Sequence, residues 1–170
     1  SKKVNKAAQL VIIGEDTEVD KNIIDNLGDP LMHIIRKSMD HGLETREQRA
    51  QTSKPPQGTI TLEARSTGGD VMIIITDDGR GLNREKILAK AADRGLLNKP
   101  ESEITDKEVA NFILAPGFST NDEVTEFSGR GVGMDVVRKN IEKIGGTMSI
   151  DSIEGEGMST TIKIPLTLAI

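Results

Sequence analysis

Three stretches hold residues whose types and spacing suit chemistry. Asp77-Asp78-Gly79-Arg80-Gly81 follows the unbroken apolar run Val71–Ile75. A carboxylate fixed at a strand end can accept a hydrogen bond from an exocyclic amine, and glycines let a flat ring approach the backbone. Alone, such a string is more often simply a turn. Gly129-Arg130-Gly131-Val132-Gly133 stands just before a helical pattern. There, backbone N–H groups can converge on an anion at a helix N-terminus, although the same string also reads as a flexible connector. No Gly-Lys-Ser/Thr follows it and no strand precedes it, so it is neither a Walker A motif nor a Rossmann fingerprint. The third stretch, His33 to His41, contains both histidines of the chain. At 100° per residue, His33, Arg36, Lys37, Asp40 and His41 share about 140° of arc, opposite Leu31, Ile34, Ile35, Ser38 and Met39. The polar stripe is either a solvated face or a ligand-facing one. Two histidines, where a solvated face would hold Glu and Lys, favour a ligand.

The elements that must position these residues follow from periodicity. Leu10–Gly14 reads as a short buried strand, and Glu15-Asp16-Thr17-Glu18 as the start of a helix through Ile23, Ile24 and Leu27. Asp29-Pro30 restarts the helix, with Pro in its first turn, and the helix runs to Gly42. Residues 43–58, with Pro55-Pro56, form a loop with a short helix. From Gly58 the period becomes two, and Gly68-Gly69 turns that strand back into Val71–Thr76. The second strand is apolar nearly throughout, so it belongs in the sheet centre, covered on both faces. Helices follow at 84–94, stopped by Gly95, and from Thr105, where Thr105-x-x-Glu108 forms a capping box. A loop over 115–133 is long enough to read as functional. A helix from Gly133 to Gly145-Gly146 and two strands, 147–152 and 158–165, complete the chain. There are no repeats or linkers.

Composition excludes several classes. The 170 residues, carrying a formal charge of −5, fit one core better than two. The absence of cysteine rules out disulfides, thiol chemistry and Cys-ligated zinc. No apolar run approaches a membrane span of roughly 20 residues, and Ser1-Lys-Lys-Val-Asn-Lys6 has no apolar stretch behind it that would read as a signal peptide. Net acidity with almost no rings argues against a nucleic-acid partner. The expected location is cytoplasmic, without membrane insertion. With no Trp or Tyr and only three Phe, the core must be aliphatic, built largely on 20 Ile. Seven acids and one base lie in 101–126, so that segment carries the acidic excess.

Taken in order, the polar helix, the Asp-x-Gly-x-Gly box after a strand and the Gly-x-Gly-x-Gly box before a helix resemble the N, G1 and G2 boxes of the Bergerat (GHKL) ATP-binding superfamily. Within it the chain resembles the ATP-binding kinase domain of CheA-type chemotaxis histidine kinases. The matching strings include Gly14-Glu-Asp-Thr-Glu18, Asp29-Pro-Leu-x-His33-x-x-Arg36, Asp40-His41-Gly42, Asp77-Asp-Gly-Arg-Gly81, Ala115-Pro-Gly-Phe-Ser-Thr120, Ser128-Gly-Arg-Gly-Val-Gly-Met-Asp135 and Pro165-Leu-Thr-Leu-Ala-Ile170. The resemblance implies a two-layer α/β sandwich with a mixed, mostly antiparallel sheet and helices on one face. It further implies one ATP-binding domain over 1–170, with a lid at about 115–133, excised from a longer multidomain protein.

The implied activity is transfer of the γ-phosphoryl of ATP to a histidine on a separate phosphotransfer domain, in the same or a partner chain, within two-component signalling. His33 takes the family's candidate catalytic place. Asp77 would receive the adenine amino group, beside Gly79 and Gly81. Arg36, Lys37, Asp40 and His41 would line the pocket. Gly129, Arg130, Gly131, Gly133 and Met134 would line the phosphate side, with Ser119 in the lid. Arg84 falls where relatives often carry a base, and Thr160 near the adenine. Dimerisation and regulatory domains, a receptor and a coupling protein are the implied partners of a full-length protein.

Two positions depart from the family's pattern. Lys37 replaces the Asn whose oxygen ligates Mg²⁺, and an ammonium has no acceptor with which to ligate a cation. Either Lys37 inserts its own charge among the phosphates, or it turns to solvent and the metal ligand is simply lost. Both readings put the family's Mg²⁺ in doubt. They favour an alternative function: a nucleotide-binding but catalytically impaired regulatory module. Met158 replaces a Thr near the adenine, with Ser159 and Thr160 positioned to compensate. Phe112 and Phe118 anchor the lid, or Phe112 builds a satellite core beneath it. A topoisomerase- or chaperone-type ATPase is disfavoured, because His33 stands where those carry a water-activating carboxylate.

Overall fold

The computed structural model describes residues 8–14, 21–118 and 133–165. Strand β1 (Ala8–Ile13) is followed by α1 (Lys21–Lys37) and a π-helical turn over Ser38–Gly42. Then come α2 (Arg46–Ala50), the hairpin β2 (Gly58–Thr67) and β3 (Asp70–Asp77), α3 (Arg84–Asp93) and α4 (Asp106–Phe112). Helix α5 (Met134–Lys143) leads into the second hairpin, β4 (Thr147–Ile153) and β5 (Gly157–Pro165). The sheet order is β1-β2-β3-β5-β4. Only β1 and β2 run parallel, and the other neighbours are antiparallel. This is the expected mixed, mostly antiparallel α/β arrangement.

Register explains why one face is covered. Leu62, Ile75, Thr160 and Ile150 form one row across β2, β3, β5 and β4, and Ala64, Ile73, Ile162 and Met148 form the next. Apart from Ala64 and Thr160, these row residues pack with Leu27, Ile34, Val137 and Ile141 from α1 and α5 into the main apolar cluster. Because Cβ direction alternates along a strand, the intervening residues (Glu63, Ile74, Thr161, Ser149) lie on the other face. Strand β3 is central, as its composition predicts, but its residues alternate between buried and half-buried. One face carries helices, and Met72 and Ile74 line the opposite, partly open one.

Three further expectations are corrected. β1 is an edge strand, and Leu10, Ile12 and Ile13 are each about half exposed. Helix α1 does not restart at Pro30 but passes through it, forgoing the one i→i−4 hydrogen bond that a proline cannot donate. The apolar interior also divides. A smaller cluster of Ile87, Leu88, Ala91, Ile104, Val109 and Phe118 lies under α3 and α4, with Phe112 packed against it. The satellite reading of Phe112 is therefore the one observed.

Capping fixes the element ends. Thr45 with Gln48 and Thr105 with Glu108 form reciprocal capping boxes, and Asn83 caps α3. The helical start expected at Glu15–Glu18 lies outside the described residues, as does most of the 115–133 loop. No helix among the described residues is long and apolar enough to cross a membrane.

Candidate functional site

A cavity of about 480 Å³ opens at the carboxyl end of β3, within the usual range of roughly 300–1,000 Å³ for small-molecule sites. Its floor is Asp77, 4% exposed, on the helix-covered face of the sheet. Met158 stands directly opposite Asp77 across the β3–β5 ladder and lines the cavity. The family's Thr position is thus occupied by a thioether against the floor. Gly79 N–H donates to Asp77 Oδ1 at 2.9 Å. Burial raises the Asp77 carboxyl above its ordinary value of 3.8, while the Gly79 N–H, the Ser38 hydroxyl and the Met158 N–H pull the other way.

One wall comes from α1 and the π-helical turn. The lining residues Ile34, Lys37, Ser38 and His41 are spaced i, i+3, i+4, i+7 and so share one helical face. Polarity assigned Ile34 and Ser38 to the core side; the cavity instead takes the seam between the apolar and polar sides. Lys37 therefore faces the cavity, which favours the first of its two readings. The π turn, closed by Leu43 N–H to Ser38 O at 2.9 Å, widens the helix end beside Asp77. Such bulges are frequent at functional sites. Arg36 is exposed and Asp40 half-buried, and neither lines the cavity. His33 is half-buried one turn before Lys37, also outside the lining set.

The opposite wall is α3, which contributes Lys86 and Lys90 together with Ile87. Neither lysine was singled out by motif reasoning. The available signal was their i, i+4 spacing on the helix that follows the Asp77 box. Arg84, which was singled out, does not line the cavity. Its guanidinium donates to Asp106 Oδ1 at 2.7 Å, Ile104 O at 2.6 Å and Glu101 O at 3.1 Å, stapling α3 to the start of α4. Phe118 and Ile113 close this side, and the cations of Lys90 and Arg94 sit 5.0 and 5.4 Å from the Phe118 ring centre.

The glycines of the Asp77 box make their close approaches to protein. A Cβ on Gly79 would lie 2.1 Å from Gly42 O, and Gly81 has φ +70° with Ile153 O 2.5 Å from any Cβ. Gly81 lines the cavity; Gly79 packs the turn after β3 directly against Gly42 at the end of the π-helical turn. Gly133 caps α5, and the next residue, Met134, lines the cavity. Thr160 is buried one pleat behind Met158, and its Oγ1 has no partner among the described residues. Ser119, Gly129, Arg130 and Gly131 lie outside the described residues.

The lining set does not suit a protein-held magnesium ion. Mg²⁺ takes oxygen ligands, whereas the cavity presents Lys37, Arg80, Lys86 and Lys90 against the single carboxylate Asp77. No group of three or more His, Asp or Glu among the described residues is arranged to hold a metal. The excess of cations suits an anionic ligand instead.

Comparison with known proteins agrees with this geometry. Residues 26–168 match the family of histidine kinase-, DNA gyrase B- and HSP90-like ATPases. The chain is 49% identical over 170 residues to the chemotaxis protein CheA of Bacillus subtilis, covering 99% of this chain and 25% of that protein. It is 48% identical to CheA of Salmonella typhimurium, covering 99% and 25%, and 47% identical to the sensor histidine kinase CheAY of Helicobacter pylori, covering 100% and 21%. The chain thus spans about a quarter of the length of these relatives. Among solved structures, the catalytic domain of the histidine kinase ThkA superposes with a TM-score of 0.56 at 17% identity, covering 96% of this chain and 81% of that one. The histidine kinase domain of a blue-light activated kinase from Erythrobacter litoralis gives 0.53 at 15%, covering 96% and 54%. Both likenesses concern the fold.

Proposed function

The chain belongs to the histidine kinase-, DNA gyrase B- and HSP90-like ATPase family, and from that premise we propose that its cavity binds ATP as the kinase domain of a CheA-type chemotaxis histidine kinase. The γ-phosphoryl passes to a histidine on a separate phosphotransfer domain, in a cytoplasmic signalling protein. The supporting observation is a buried carboxylate at one end of a cavity whose walls carry lysines. Asp77 accepts a hydrogen bond from the adenine amino group, which the carbonyl at the same position of a 6-oxopurine cannot donate. Lys37, His41, Lys86 and Lys90 hold the phosphates. His33, Arg36 and Asp40 belong to the same helix end, and Ser119, Gly129, Arg130 and Gly131 complete the phosphate side by resemblance alone. Dimerisation and regulatory domains, a receptor and a coupling protein are the partners this reading assigns to a longer protein.

A second reading, a nucleotide-binding module with curtailed transfer, is favoured by one observation: Lys37 lines the cavity where the family carries its magnesium ligand. Titration calorimetry with ATP, with and without Mg²⁺, followed by transfer to a phosphotransfer domain, separates the readings. Binding with little metal dependence and no transfer selects the module, and Lys37→Asn then renders binding metal-dependent. Rapid Mg²⁺-dependent transfer by the unaltered chain selects the kinase. Absence of nucleotide binding overturns both.

A further inference from the structure

Residues 43–56 contribute nothing to the cavity wall, yet three of their charged side chains converge on the outside of the turn that follows Asp77. Arg49 is fully buried, which is rare for a guanidinium unless its donors are satisfied. Its Nη2 donates to Asp78 Oδ2 at 2.9 Å, its Nη1 to Glu44 Oε1 at 2.9 Å, and its Nε to Pro55 O at 2.7 Å. Lys54 Nζ donates to Asp78 O at 3.0 Å and Gly79 O at 2.8 Å and pairs with Glu44. Asp78 Oδ1 accepts the Thr59 N–H at 2.8 Å. Burial pushes the Glu44 carboxyl up, but the Lys54 hydrogen bond, its own backbone N–H and the charges of Lys54 and Arg49 outweigh it and leave the group below 4.5.

The link to the cavity is a single peptide plane. Asp78 C=O and Gly79 N–H belong to the same trans peptide and point in opposite directions. Lys54 at 3.0 Å, with a longer contact from Arg49 Nη1 at 3.4 Å, holds the oxygen outside, so the N–H is aimed inward, at Asp77 Oδ1. A peptide joined to glycine turns over easily, and the reversed plane would present a carbonyl to the Asp77 carboxylate. We propose that Glu44, Arg49 and Lys54 form a clamp that fixes the direction of the Asp77 carboxylate, with Lys54 as a positioning residue for 6-aminopurine selectivity. With Oδ1 occupied by the Gly79 N–H, the remaining lone pairs are directed for an amino donor. Losing the clamp frees the plane, and the preference for amino over oxo falls.

The inference rests on the adenine-nucleotide reading, and the experiment distinguishes the two. Dissociation constants for ADP and inosine diphosphate are measured by calorimetry on the parent chain, Lys54→Met and Lys54→Arg, each below its own melting temperature. The parent is expected to favour ADP. Lys54→Met keeps the aliphatic stem and loses the donors, so ADP weakens roughly tenfold while inosine diphosphate changes little. Lys54→Arg restores donors and keeps the parent's ratio. A ratio in Lys54→Met equal to the parent's, or equal weakening of both nucleotides, overturns the clamp and leaves nucleotide binding intact. A parent chain that binds neither nucleotide overturns both.

Discussion

Asp77 is 4% exposed at the end of the central strand, and burial raises its carboxyl although two N–H groups and a hydroxyl oppose the shift. The ionised form is therefore disfavoured more in the folded chain than in the unfolded one. Its contribution to stability is greatest below pH 3.8 and declines as pH rises through the raised folded value. Asp77→Asn keeps an acceptor for Gly79 N–H and removes the charge. The variant should melt higher than the parent at neutral pH, with the gap closing below pH 3.8, while binding adenine nucleotides far more weakly; a lower neutral melting temperature would refute this. Thr160 poses a related question. Its buried hydroxyl has no partner among the described residues, and Thr160→Val preserves shape, so urea unfolding should show a gain of about 1 kcal/mol. Resemblance places this side chain near the base, so calorimetry on the same variant tests whether the hydroxyl serves ligand instead. Unchanged nucleotide affinity would remove Thr160 from the site.

The sheet's two edges are handled differently, and neither treatment shows in the periodicity. Along β4, Asn111 of α4 behaves like a piece of neighbouring strand: its Nδ2 donates to Ile150 O at 3.1 Å and its Oδ1 accepts Ile150 N–H at 3.2 Å. An exposed strand edge invites pairing with another chain, and this amide blocks it. Asn111→Ala leaves both backbone groups of a fully buried residue unpaired. The expected cost is about 1–3 kcal/mol in urea unfolding, with concentration-dependent association in sedimentation. An unaltered midpoint would mean that α4 covers the edge without this contact. Along β1 the apolar residues stay half exposed. Alternation and capping residues are short-range signals, so the hairpins, the Thr105–Glu108 capping box and the Gly95 stop were legible, while the Thr45–Gln48 box was not read. Whether β1 is interior or edge depends on a parallel pairing with residues some fifty positions away, which no local pattern encodes. The π turn was equally silent. Residues 33–41 show helical period, and the regular i, i+3, i+4, i+7 spacing of Ile34, Lys37, Ser38 and His41 places these, rather than Arg36, on the cavity wall.

The cavity lies where the two apolar clusters meet. Ile34, Met134 and Met158 belong to or pack on the main cluster, Ile87 and Phe118 belong to the smaller one, and Leu82 and Ile113 touch both. Length and composition suggested one core, because aliphatic residues look alike whichever cluster they join; division into two follows from α3 and α4 folding back on themselves. A ligand between two clusters makes contacts with each, so its binding energy stabilises their association as well as each wall. At a ligand concentration one hundred times its dissociation constant, the folded state gains about 2.7 kcal/mol. Local opening of the smaller cluster is the cheaper route to exchange, since its helices α3 and α4 are only 10 and 7 residues long. ADP should therefore slow amide exchange in α4, including Val109 of the smaller cluster, which does not line the cavity. The control is Ile113→Ala, which thins the contact between the clusters. It should reduce that protection more than it weakens ADP binding. Protection confined to α1, α3 and the end of β3, with α4 unchanged, would show that the clusters open independently and that the ligand acts only on the walls it touches.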